Sequence, residues 1–201
     1  MNRTLAIVLG VVGVLVLIVL GFVGYGISVN NRIVSAEEGV KAGWGQVENQ
    51  YQRRYDLIPN LVETVKGFAK QEREVLENVT NARSRVGQMS ITPEVLNDPK
   101  AFAKFQQAQD GLGSALSRLL VVTENYPTLR SNENFLTLQK ELEGTENRIS
   151  VERRRFNETV QSYNTMIRRF PASFIASMGG FKDKAYFSAA TGADQAPKVQ
   201  F

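Results

Sequence analysis

The stretch whose residue types most suggest chemistry is Glu141-Leu142-Glu143-Gly144-Thr145-Glu146-Asn147-Arg148. At helical spacing Glu143 and Asn147 share a face four residues apart, so oxygen ligands or paired carboxylates could gather there. A carboxylate metal site in a helical protein ordinarily completes such a set with Glu-x-x-His pairs from other helices. This chain contains no histidine and no cysteine. Imidazole acid–base catalysis, thiolate nucleophiles, Cys/His zinc sites and disulfides are thereby removed together. A glycosidase-type carboxylate pair would also need a cleft that a narrow helical body rarely provides. The patch therefore reads as a solvated or salt-bridged helix face, with a partner surface as the second reading. No catalytic, cofactor or metal-binding residue is assigned, and a reaction through Glu141, Glu143 and Glu146 lacks its acid–base partners.

Arg53-Arg54-Tyr55-Asp56 is the second polar cluster. It reads first as two exposed arginines beside a helix-capping aspartate. The alternative ties Arg54 and Asp56 to an opposing helix, through a glutamate of the fourth helix. Arg153-Arg154-Arg155 and Arg168-Arg169 make a later segment basic, and cations near a helix C-terminus suit its macrodipole. The whole chain carries only +4, with both signs mixed along it. Neither a basic stripe with interleaved aromatics nor a phosphate-binding glycine loop is present, which argues against nucleic acid and a small-molecule substrate.

The element that must position all of this is the N-terminus. Residues 4–31 contain no charge, and 5–27 are nearly all Leu, Ile, Val and Gly. Such a helix rises about 34 Å, enough to cross a hydrocarbon core of about 30 Å. The apolar run exceeds a usual signal core and no small-x-small cleavage site follows it, so it reads as a retained anchor after a short flank at 1–4. Ala6 and Gly10, four apart, give the small-xxx-small spacing that lets two membrane helices approach, although glycines are common in any spanning helix. Arg3 on one side and Arg32 and Lys41 on the other leave the orientation undecided.

Residues 28–170 show helical periodicity throughout. Ile33, Val40, Trp44, Val47, Tyr51 and Tyr55 mark a first helix, in which Gly39, Gly43 and Gly45 allow either a close helix approach at Trp44 or a weakly propagating stretch. Asp56 to Asn60 reads as a break, with Asp56 as N-cap and Pro59 in the first turn of a second helix running to Gly87. Asp98-Pro99 opens a third helix that stops at Tyr126-Pro127. Ser131 or Asn132 starts the fourth and longest, whose seam runs from Phe135 through Thr145 and Glu152 to Phe170. The tail, 171–201, is short and small-residue-rich, yet holds Phe181, Tyr186 and Phe187. A segment so aromatic is expected to pack on its own helices or on a neighbouring subunit. The fold expected is all-α: a single transmembrane helix, an antiparallel up-and-down four-helix bundle, and this tail.

Several of these segments together resemble the bacterial LemA family. They are Tyr51-Gln52-Arg53-Arg54-Tyr55-Asp56-Leu57-Ile58-Pro59-Asn60-Leu61-Val62 and Leu138 to Ile149. Phe156-Asn157-Glu158, Tyr163-Asn164-Thr165, Arg169-Phe170-Pro171, Gly180-Phe181 and Tyr186-Phe187 resemble it as well. Tyr55 departs from the pattern, standing where a small residue is more usual. The resemblance implies a single-pass anchor in the bacterial cytoplasmic membrane carrying a four-helix bundle. It implies no known enzymatic activity, and a neighbourhood of membrane metalloprotease-like or TPM-domain proteins. The expected role is a self-associating scaffold whose partners are the bilayer itself through 5–27, a second copy and another membrane protein. The alternative is a sensor or adaptor binding lipid, peptide or a membrane protease.

Overall fold

The computed structural model describes residues 3–69, 71–89 and 92–188. Residues 189–201, at the end of the aromatic tail, and the side chain of Ala6 lie outside the described part. The described residues are helical or irregular, with no strand among them.

One helix carries the architecture. α1 runs Arg3–Phe68, 66 residues, about 100 Å along its axis. Its apolar N-terminal portion is long enough to cross a membrane and is not buried against the rest of the chain. α1 continues from there into the folded body without interruption. The chain therefore has no separate linker after the anchor, and α1, not the fourth helix of the sequence reading, is the longest.

The expected break at Asp56–Asn60 is absent, because Pro59 sits inside α1. A helical proline lacks the N–H that would satisfy the carbonyl four residues back. Here that carbonyl belongs to Tyr55, and Arg83 Nε donates to it at 3.2 Å. The Arg83 guanidinium also lies 3.8 Å from the centre of the Tyr55 ring. The freed acceptor is thus satisfied from a neighbouring helix, and α1 passes through the proline. Asp56 is consequently no cap; its carboxylate accepts from Gln52 Nε2 at 2.8 Å one turn back.

The chain instead reverses around 69–72, and α2 occupies Arg73–Gly87. Apolar spacing of three and four continues in phase across this turn, which is why periodicity alone joins the two segments. Leu76 and Val79 are buried while Phe68 is 42 % exposed. Gly87 ends α2 where a close approach requires it: a Cβ there would lie 2.8 Å from the Tyr55 hydroxyl.

A 3-10 turn, Pro93–Asn97, leads to α3, Pro99–Thr123. As the sequence suggests, Asp98 caps α3, accepting from the Lys100 and Ala101 amides at 2.8 and 3.2 Å. A single turn, α4 (Pro127–Arg130), precedes α5, Glu133–Arg168, 36 residues capped by Asn132. Last comes α6, Ala172–Met178. It closes on Gly180, whose φ of +72° lets the Phe181 amide reach back to the Ala176 carbonyl at 3.0 Å, a Schellman closure. Residues 181–188 then run extended across the body.

Two apolar clusters hold the body. The one nearer the anchor joins Val40, Trp44, Val47 and Tyr51 of α1 to Phe102 and Phe105 of α3 and to Phe156, Val160 and Tyr163 of α5. The other joins Ile58, Leu61 and Val65 of α1 to Leu76 and Val79, to Leu112, Leu116 and Leu119, and to Phe135 and Leu142. Trp44 is fully buried, with the rings of Phe102, Phe105, Phe156 and Phe187 centred 5.4–6.1 Å away. Of the glycines beside it, Gly39 and Gly43 face α5, whereas a Cβ at Gly45 would meet nothing within 4 Å. A Cβ at Gly43 would sit 3.7 Å from Phe156, and one at Gly39 would sit 3.8 Å from Thr159. Both distances are ordinary contacts, so these glycines shape the approach without being demanded by it. Phe170, placed by its spacing in the α5 seam, is 88 % exposed because α5 ends two residues earlier.

Candidate functional site

Arg54 lies between the two apolar clusters. Its residue is 2 % exposed, which excludes the reading of two solvated arginines. Arg54 Nη1 donates to Glu146 Oε1 at 2.7 Å, and Nη2 donates to the Gln109 side-chain carbonyl and to the Gln109 main-chain carbonyl at 3.2 Å. A charge with so little water must be matched within the protein. Three helices supply the match: α1 the cation, α5 the carboxylate, α3 the amide. Of the alternative drawn from the sequence, the Arg54 half is observed, to Glu146 of α5, while Asp56 bonds to Gln52 of its own helix. Arg54 Nε and Gln109 Nε2 find no acceptor among the described residues.

One turn toward the anchor, Arg153 Nε donates to the Tyr51 hydroxyl at 2.5 Å and Nη2 to Asp110 Oδ1 at 3.0 Å. Burial pushes the Tyr51 phenol up to about 12, against the opposing pull of the neighbouring Arg153. It therefore stays protonated at neutral pH and serves as an acceptor for Arg153. That guanidinium also stands 4.9 Å from the centre of the Phe187 ring.

Phe187 belongs to the extended tail, and three carboxamides hold that tail in place. Asn164 Nδ2 donates to the Lys184 carbonyl and its Oδ1 accepts from the Lys184 amide, both at 2.9 Å. Asn157 does the same for Phe187 at 2.8 and 2.9 Å. Gln106 of α3 does so for Ser188 at 2.8 and 3.2 Å. Each carboxamide thus offers one residue the exchange of N–H and C=O that a neighbouring β-strand would give. The spacing also fits, since two helical turns from Asn157 to Asn164 rise about 10 Å and three extended residues span about the same. Lys184 completes the latch. Its Nζ reaches Glu37 of α1 and Asn97 before α3, each at 2.6 Å.

Between α3 and α5 the tail leaves a cleft of about 780 Å³. Arg54, Arg153 and Arg154 line it opposite Asp110, Glu146 and Glu158, so its charge is balanced. Small residues, Gly113, Ser114, Ser117 and Ser150, keep it open. What such a surface offers is paired charge and hydrogen bonding.

The other residues singled out in the sequence scatter around this centre. Arg53 faces Glu141 at a loose 3.9 Å, half in solvent. Glu143 accepts from Gln139 Nε2 at 3.0 Å, and Asn147 lines a smaller groove with Glu143 and Glu146. Arg148 lies back over Gly144. Asn60 is exposed, its carbonyl accepting from Thr64 Oγ1 at 2.7 Å. Phe181 packs against the first cluster while Tyr186 is 43 % exposed at the cleft. Gly10 has nothing within 4 Å of its Cβ position among the described residues. No group of three or more acidic residues that could hold a metal ion occurs among the described residues.

Sequence reasoning passed over Gln106, Gln109, Asn157, Asn164 and Lys184. A usable signal did exist. Asn157 and Asn164 stand seven apart, each following a seam aromatic, Phe156 and Tyr163. Carboxamides recurring beside the core of a long helix need buried partners, and an aromatic tail could supply them.

An all-helical body continuous with an apolar helix long enough to span a bilayer defines a membrane-associated helical protein. Residues 43–201 match the LemA family, and the chain belongs to that family. It is similar to magnetosome protein MamQ of Magnetospirillum gryphiswaldense, 28 % identical over 173 residues, which covers 78 % of this chain and 64 % of that protein. It is similar to magnetosome protein MamQ 2 of Paramagnetospirillum magneticum, 28 % identical over 188 residues, covering 86 % of this chain and 69 % of that one. Protein LemA of Metamycoplasma hominis is 20 % identical over 159 residues, 79 % of this chain and 68 % of its own length. The chain thus spans less than two thirds of the first of these relatives. Neither the family description nor these names denote an enzyme.

Proposed function

We propose that this protein is a membrane-anchored, self-associating helical scaffold that holds partners by surface complementarity and has no chemistry of its own. It crosses the bacterial cytoplasmic membrane once, through residues 5–27. Its body, α1, α2, α3 and α5, is an antiparallel up-and-down four-helix bundle. The observation that carries the reading is the continuity of α1 from the apolar segment to Phe68. A body joined to the bilayer by unbroken helix keeps one attitude toward the surface. That is what a spacer or assembly platform needs and a tethered enzyme does not. Self-association draws on the open faces of Gly10 and Gly13, against which none of the described residues packs. Electron microscopy and mass measurement of full-length protein in mild detergent test this. Particles of several copies, reduced by Gly10→Leu, are expected; a monomer at every concentration refutes self-association.

A second reading, an adaptor for an anionic lipid or peptide group, is favoured by one observation. The α3–α5 cleft contains Arg154, exposed, beside two arginines already engaged with protein. Protein held in zwitterionic nanodiscs should then capture anionic vesicles and lose that capture with Arg154→Glu. Equal capture by the variant rejects it.

A further inference from the structure

α6 and the corner before it present an apolar stripe that none of the described residues covers. Phe170, Phe174 and Met178 are 88 %, 67 % and 76 % exposed. Phe174 and Met178, four apart on α6, line one edge with Phe170 in the corner before it, while Ala176 on the opposite face is buried and Ile175 packs on the core. Other large exposed apolar residues of the body, such as Val121 and Leu136, are scattered singly, which is ordinary. Two such residues on a seven-residue helix and a third in the corner before it form a contiguous patch, unlike single exposed side chains.

The place of this stripe is what identifies its occupant. Ile175 Cδ1 lies 4.0 Å from where a Cβ would project from Gly26 of α1. Phe170 and Pro171 share a cleft with Tyr25, Val29 and Arg32. α6 therefore sits at the level where α1 leaves its apolar segment, beside Tyr25, itself half exposed. Aromatic side chains at that depth occupy the boundary between headgroups and acyl chains. Arg32 and Arg169, both exposed, flank the stripe at headgroup height. Arg168 is held by both oxygens of Asp183 at 3.0 and 2.7 Å.

We infer that α6 is a second membrane contact: Phe170, Phe174 and Met178 enter the interfacial layer of the same bilayer that α1 crosses, with Arg32 and Arg169 facing lipid phosphates. The inference rests on residues 5–27 spanning that bilayer. With α1 upright and α6 embedded beside it, the body gains two points of attachment. Its rotation about the axis of α1 is then fixed as well as its tilt.

The absence of cysteine makes the test direct. Single-cysteine variants Phe174→Cys, Met178→Cys, Leu17→Cys and Val121→Cys of the full chain are spin-labelled and reconstituted in vesicles of mixed phosphatidylethanolamine and phosphatidylglycerol. Collision rates with oxygen, which partitions into lipid, and with a water-soluble nickel chelate then report depth. Unchanged fluorescence of the buried Trp44 checks that each variant is folded. Labels at 174 and 178 should favour oxygen over nickel several-fold, less strongly than the label at 17, while the label at 121 favours nickel. Labels at 174 and 178 that match 121, with 17 still in lipid, overturn the α6 contact and leave the anchor standing. Labels at 174 and 178 shielded from both reagents mean that protein, not lipid, covers the stripe, which also overturns it. A label at 17 open to nickel removes the anchor and this inference together.

Discussion

The continuity of α1 depends on a repair at Pro59, and the repair can be weighed. Substituting Arg83→Met keeps an aliphatic stem against Tyr55 but removes the donor 3.2 Å from the Tyr55 carbonyl and the guanidinium stacked 3.8 Å over its ring. A hydrogen bond from a charged donor contributes about 1.5–3 kcal/mol, toward the lower end here because Arg83 is only half buried. The stacked cation adds about 0.5–1 kcal/mol. Loss of about 2 kcal/mol is expected, or about 4–8 °C in Tm for a body of this size. The assay is thermal and urea denaturation of the full chain in detergent, followed by fluorescence of Trp44, the single tryptophan and fully buried. The decisive measurement is the double-mutant cycle with Pro59→Ala. Alanine restores the missing N–H, so the Tyr55 carbonyl no longer needs Arg83, and Arg83→Met should then cost about 1 kcal/mol less. Strict additivity within about 0.5 kcal/mol would falsify the claim that Arg83 is what carries α1 through its proline.

Three other expectations follow from the polar contacts. Glu146→Gln strips the paired carboxylate from the buried Arg54 and should cost about 1–2 kcal/mol in urea denaturation, discounted because the Glu146 side chain is 42 % exposed; an unchanged midpoint contradicts the pairing. Asn164→Ala removes both hydrogen bonds to Lys184, about 2 kcal/mol, so exchange of the Lys184 and Phe187 amides should quicken about thirtyfold while amides of α2 are unaffected. Uniform acceleration across the chain would show that the latch is not a local unit. Finally, the folded-state pKa of Tyr51, raised by burial to about 12, lies above its unfolded value of about 10. The stability it confers is present below pH 10 and is lost between about pH 10 and 12, at most about 2–3 kcal/mol. Tyr51→Phe should flatten that fall; Tyr163, also pushed up to about 12 by burial, leaves a remainder of the same sign.

The apolar anchor and the all-helical class are legible in the sequence because each is a property of a window: a long uncharged run, and a period sustained over many turns. Boundaries depended on single residues whose partners lie far along the chain. Pro59 reads as a stop in any local view, and only Arg83, 24 positions on, cancels it. The turn at 69–72 carries no proline and keeps the apolar phase, so nothing local marks it. Arg54 shows the same limit in the candidate site. Its neighbours Arg53 and Asp56 are exposed, and its burial follows from Glu146 and Gln109 meeting it across the body. Trp44 and Phe187 were visible as aromatics in need of a core. That they meet each other, at 6.1 Å, required the tail to fold back along α5.

The latch and the long helix bear on one mechanical point. Lys184 sits in the tail but bonds to Glu37 on α1 and Asn97 ahead of α3, while its own backbone is held by Asn164 on α5. One residue therefore joins three elements at the end of the body nearest the anchor. Glu37 lies only a few turns beyond the apolar segment of the same unbroken helix. A tilt or rotation of α1 cannot be absorbed by a flexible joint, and it meets α5 and the tail at once through Lys184 and Asn164, both buried, whose hydrogen bonds are costly to separate. Lys184 thus sits where movement of the membrane helix would have to be either resisted or transmitted. In a scaffold the first is useful and in a sensor the second. The number of contacts that must break together, two backbone bonds and two from the ammonium, favours resistance.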